Sequence, residues 1–118
     1  MGDPNDGFAQ YFVGQSYLAP VLDAPEIAIH NVTFEPGCRN HWHIHHGGAQ
    51  VLIAVGGRGY YQIDGQEPKG LKAGQAVCIP ADTKHWLGAA PGAAFSHLAF
   101  MVPAGDPSAM SNAWLEPV

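Results

Sequence analysis

Positive charge is scarce in this chain. Five Lys plus Arg stand against ten Asp plus Glu, and no basic run occurs. Nucleic acids and anionic membrane surfaces are held by clustered Lys and Arg, so neither is expected as a partner. Long apolar runs are missing too; nothing approaches the roughly 20 residues that span a bilayer. The opening "MGDPNDGFAQ" lacks the charged and apolar regions of a signal peptide. Asp6 stands where a myristoylation signal carries Ser or Thr. "NVT" at 31–33 matches a glycosylation acceptor, but no secretory route is expected, and without one the match is empty. A cytoplasmic location is expected. Cysteine is rare, with only Cys38 and Cys78. A secreted domain of this size could join them in a disulfide and a cytosolic one need not; both are expected as free thiols packed like small buried hydrophobes. Helical periodicity is absent as well: no segment of ten or more residues repeats its apolar positions with a 3.6 period.

What the chain does have is turn-formers and short apolar runs. Fifteen Gly and ten Pro are spread along 118 residues. Hydrophobic residues make up 47% and charged ones 13%, so a buried core is expected and disorder is not. Split in two, the chain would leave cores too small to be stable, so one domain is expected. "YFVGQSYLAPVL" predicts an early strand pair broken at Gly14. "EIAIHNVTFEPG" predicts a strand stopped at Pro36-Gly37. "NHWHIH", "QVLIAVGG", "GYYQIDGQ", "QAVCIPAD", "KHWLGAA" and "AFSHLAFMVP" predict further strands, with a hairpin at Asp64-Gly65. Eight to ten short strands suit a closed barrel or a two-sheet jelly roll.

Histidine is concentrated. Four of the seven fall within residues 41–46. Side chains two apart on a strand share a face, so His41, His43 and His45 are expected on one side and Trp42, Ile44 and His46 on the other. Two imidazoles so spaced can place nitrogens about 2.1 Å from one ion. Two readings stand at this point: a solvated polar face, or a metal site. Gln50 follows the next turn and can return a side-chain oxygen to the same side. His85, after Pro80, can approach from a remote strand.

These residues lie in a pattern that resembles the cupin family. The first cupin motif is matched by Gly37, "CRNHW", His43-Ile44-His45, "HGGA", Gln50, "VLIAVG" and Gly57. The second is matched by Gly74, "QAVCI", Pro80-Ala81-Asp82, "TK" and His85. The resemblance implies an all-β, jelly-roll-like cupin barrel in a single domain over 1–118. Its core would cover about 28–102, with N-terminal strands at 8–22 and a tail at 103–118 packed on it. It implies one divalent metal on His43, His45, Gln50 and His85. Manganese is the first expectation, with iron, nickel, cobalt or zinc as alternatives. A homodimer is expected. Three features depart from the family pattern: Gln50 replaces Glu, Asp82 replaces Gly and Ala89 replaces Asn. The chain is also similar to bacterial small cupins associated with carboxymuconolactone-decarboxylase-like domains, and to cupin-fold manganese hydroxynitrile lyases, which use two His, a Gln and a His.

Four uncharged donors would leave a divalent ion its full charge, a Lewis acid for a small-molecule substrate's oxygen. Lyase or isomerase chemistry is therefore expected ahead of dioxygenase chemistry; a non-catalytic sensor of a small ligand is the rival. The expected proton carrier is His97 in "FSHLAFM", with His30 second and His41 third, at the barrel mouth or on the surface. Val32, Tyr60 (of the Tyr60-Tyr61 pair) and Met101 are the expected substrate contacts. His46, Lys84, Trp42 and Trp86 are expected to point away, and Trp114 to dock the tail.

Overall fold

The computed structural model describes residues 2–23 and 28–118. Twelve strands run in chain order among them: β1 (Asp3–Pro4), β2 (Phe12–Val13), β3 (Ser16–Asp23), β4 (Ala28–Phe34), β5 (Arg39–Asn40), β6 (His43–His46), β7 (Gly48–Ile63), β8 (Lys69–Lys72), β9 (Ala76–Ile79), β10 (His85–Ala89), β11 (Phe95–Pro103) and β12 (Ser111–Trp114). Two short 3-10 turns, Asp6–Tyr11 and Pro107–Ala109, are the only helical elements among the described residues. The first takes up residues 8–11 of the N-terminal strands expected at 8–22; the expected strand pair begins at Phe12 and is broken at Gly14. The start of the strand expected in "EIAIH", at 26–27, lies outside the described residues.

The strands are hydrogen-bonded in the order β1-β3-β4-β11-β7-β10-β5-β2, with β8 and β9 on β7, β6 on β10, and β12 on β6. One strand joins the two halves of this curled sheet. β7 pairs with β11 and β9 through its first part, then with β8 and β10 through its second. "QVLIAVGG" and "GYYQIDGQ" were expected as separate strands; they are one, bent rather than broken. Gly57 at the bend has φ 71°, and an added Cβ would stand 1.8 Å from the Ala94 carbonyl oxygen. Only glycine fits there, so the chain turns the corner without leaving the ladder.

Alternation then sorts the side chains. Phe34, Leu52, Ala54, Leu71, Ile79, Leu87, Ala89, Phe95 and Cys38 form the buried core. Phe34 and Phe95 meet edge to face at 6.4 Å, and each of two such rings contributes about 1.5–3 kcal/mol of burial. Cys38 is buried and its thiol is pushed up to about 12, first by burial and then by the Glu35 charge. Cys78 corrects the other half of that expectation. It is exposed, because Ile79 beside it takes the inward position. No helix among the described residues is long and apolar enough to cross a membrane.

Candidate metal centre and cavity

His43 and His45 alternate with Ile44 on β6 and point inward, both buried. β10 lies antiparallel to β6 with His85 opposite His43, so the third imidazole arrives through sheet register. His85 is fully buried. One ligand nitrogen from each of the three lies within 4.8 Å of the others. Gln50, near the start of β7, brings Oε1 to 3.0 Å from His45 Nε2 and 3.2 Å from His85 Nε2. His41 does not join them. It precedes β6, so the strand alternation never reaches it, and its ring sits edge-on to Tyr11 at 6.4 Å.

The donor chemistry fits a cation. His43 Nδ1–H donates to the His41 carbonyl at 2.7 Å, and His85 Nδ1–H to that of Thr83 at 2.8 Å. His45 Nδ1–H donates to Asn112 Oδ1. Each ring then carries its one proton on the outer nitrogen, which leaves Nε2 of all three as a bare lone pair. Gln50 Oε1 is also an acceptor. Lone pairs that converge without a proton between them repel; a cation turns that repulsion into ligation. His43 and His85 stay neutral for it. Burial, with the neighbouring His85 second, drives His43 down to about 3, and burial drives His85 down to about 4.

The loop before β10 bears on the same geometry. Asp82 has φ 61°, the left-handed region, where the cupin pattern carries Gly. Its N–H donates to the His45 carbonyl at 2.8 Å, and its carboxylate takes the Nδ1–H of exposed His46. The departure from Gly therefore keeps the turn, since Asp tolerates this conformation better than most residues.

Next to the three imidazoles lies a cavity of about 380 Å³. His97, His30, Val32, Ala99, Phe34, Phe12, Phe8, Asn40, Asn112 and Trp114 are among its lining residues. No Lys, Arg, Asp or Glu among the described residues lines it. His97 is 2% exposed, and burial holds its ring down to about 4. Its Nδ1 leans on the Leu98 carbonyl at a long 3.5 Å, while Nε2 is buried with no partner among the described residues. A register shift between Ser96 and His97 sets His97 opposite Ala54 on β7, and opposite Val32 on β4. His30 faces Ala99 two pairs further along, where the small side chain leaves room.

Two expected substrate contacts stand elsewhere. Tyr60 is 39% exposed and lines an outer groove with Gly70 and Leu71, while Tyr61 is the one that packs on the core. Met101 lies opposite Gln50 in the ladder but does not line the cavity, which ends at Ala99 on that strand. Trp86 is buried, with Nε1–H donating to Gln62 at 2.8 Å, and Lys84 lies over Trp42 at 5.2 Å. Asn112 and Trp114 were missed as site residues. The Trp114 ring sits 4.8 Å from His43 and stacks on Tyr11 at 4.5 Å. No local signal in "SNAWLEPV" reveals this, because the contact depends on β12 pairing with β6.

A bent sheet with two inward His on one strand, a third from its neighbour and a cavity beside them defines a cupin barrel. The chain belongs to the cupin family: the cupin domain model matches residues 30–97. It is 41% identical over 96 residues to an (R)-mandelonitrile lyase of Granulicella tundricola, covering 79% of this chain and 72% of that one. A cupin-like protein of Thermotoga maritima superposes with a TM-score of 0.85 at 32% identity, covering 99% of this chain and 86% of that one. A predicted oxalate decarboxylase of the same organism shares the fold at TM-score 0.71 and 18% identity, covering 78% of this chain and 84% of that one.

Proposed function

We propose that this cupin is a metal-dependent lyase that cleaves a small uncharged 2-hydroxynitrile, with His97 as the proton carrier. The observation that carries the reading is His97 Nε2, a buried lone pair without a partner among the described residues, in the cavity beside the three-histidine cluster. A divalent ion on His43, His45, Gln50 and His85 supplies a Lewis acid for a substrate oxygen, undiminished by any ligand charge. Manganese is our first choice for it.

The chain's own residues account for the rest. Phe8, Phe12, Phe34 and Trp114 offer an apolar, ring-shaped space, and no charged side chain among the described residues rewards an anionic body. His97, neutral at pH 7, takes the hydroxyl proton as the carbon–nitrile bond breaks. The O–H pair becomes the carbonyl π bond, and the carbon–carbon pair leaves with cyanide. The imidazolium so formed is a strong acid in this desolvated place, so it gives the proton to cyanide at once. His30 is the second imidazole of the cavity outside the three-histidine cluster and supports the hydroxyl as a hydrogen-bond partner. The similarity to a mandelonitrile lyase supports this substrate class.

The test is release of benzaldehyde from mandelonitrile by chelator-treated protein with and without added Mn²⁺. Metal-dependent release, lowered about 10²–10⁴-fold in His97→Ala, is expected for loss of a general acid–base. No metal-dependent release, or an unimpaired His97→Ala, overturns the reading.

A further inference from the structure

The three imidazoles obtain their orientation in different ways. His43 and His85 each donate Nδ1–H to a backbone carbonyl two residues back, at 2.7 and 2.8 Å. Those acceptors belong to the same segment of chain as the ring they orient, and side-chain substitution does not remove them. His45 instead donates to a side chain, Oδ1 of Asn112, 67 residues away on β12. We propose that Asn112 is a positioning residue of the metal centre. Its carbonyl oxygen holds His45 as the Nδ1–H tautomer and so presents the Nε2 lone pair to the ion. This rests on the metal-binding reading above, but it concerns the ring and not the reaction.

The strand that carries Asn112 is itself pinned. Asn112 lies opposite His45 in the β6–β12 ladder, and Trp114 opposite His43. Beyond the ladder, Leu115 N–H donates to the Trp42 carbonyl at 2.8 Å, and Trp42 N–H to that of Glu116 at 3.0 Å. Lys84 pairs with the Glu116 carboxylate, and Tyr11 stacks on Trp114. The acceptor is therefore delivered in one place. Without an acceptor on Nδ1, the neutral ring is free to carry its proton on Nε2, the atom a metal needs bare. Ion affinity is thereby coupled to docking of the C-terminal strand.

The experiment compares wild type, Asn112→Leu, which keeps bulk but has no acceptor, and Asn112→Asp, which keeps one. Ser111→Ala is the control. Co²⁺ is titrated by its visible absorption, and ¹⁵N shifts of the His45 ring are read in metal-free protein, with far-UV circular dichroism as the check on folding. Asn112→Leu is expected to weaken Co²⁺ binding about 10–100-fold and to move the ring toward the Nε2–H tautomer, while Asn112→Asp stays within about threefold or tighter. A folded Asn112→Leu that matches wild type in both readings overturns the proposal. So does an Asn112→Asp that is as weak as the Leu variant, because the acceptor is then not what matters. A wild-type chain that takes up no Co²⁺ overturns the metal centre itself, and the proposal with it.

Discussion

Replacing His97 with Leu should make the protein more stable, and increasingly so as the pH falls. The ring is 2% exposed, and its Nε2 has no partner among the described residues. An unsatisfied buried polar atom costs about 1–3 kcal/mol, which Leu removes at every pH. The second part comes from the proton. Burial holds the folded ring to about 4, below the ordinary 6.5. Between those two values the unfolded chain binds a proton that the folded chain refuses. Stability therefore rises with pH through this window, is whole above 6.5, and is lost as the pH falls to 4. The difference amounts to about 3 kcal/mol at most, at 1.36 kcal/mol per pKa unit. His43 and His85 also sit low, but they titrate in both proteins and cancel in the comparison. Urea unfolding of chelator-treated wild type and His97→Leu at pH 7, 6, 5 and 4.5 reads the gap. It should favour the variant at pH 7 and widen by about 2–3 kcal/mol by pH 4.5. Parallel stability curves would mean that the ring reaches solvent or a hidden partner, and would remove the unpaired base from the mechanism.

Other perturbations test other parts of the same structure. Gln50→Glu puts a carboxylate where Oε1 meets His45 and His85, so Mn²⁺ affinity should tighten by about tenfold or more, about 1.4 kcal/mol, by calorimetry. The same variant should turn over mandelonitrile more slowly, because ligand charge blunts the Lewis acid. Trp114→Ala removes stacking on Tyr11 and His43 and should lower stability by about 1–3 kcal/mol in thermal unfolding. At Asp82, Val should cost about 1–2 kcal/mol in the same assay and Gly much less, because φ is 61° there.

The strands and the His43–His45 pair were legible in the sequence because they are short-range in origin. Strand alternation sets His43 and His45 on one face whatever the sheet does, and the turn residues mark where each strand stops. Gly57 shows the limit of that logic. A glycine pair reads as a break, yet the ladder continues through it, because β11 on one side and β10 on the other hold both halves. Tyr60 and Tyr61 show another. Alternation says that they oppose each other, but which one faces inward depends on which side of β7 the core lies.

What the chain determined alone, then, was periodicity: an all-β architecture, four uncharged donors at cupin spacing, and a histidine on a late strand able to share their cavity. The tertiary structure decided which lone pairs stay bare. Asn112 reaches His45, and Trp114 reaches His43, only because β12 pairs with β6 across more than sixty residues of chain. Neither the tautomer of a ligand nor the depression of a buried imidazole's proton affinity is a property of a segment. Both arise from what surrounds the ring, and a linear pattern does not carry its surroundings.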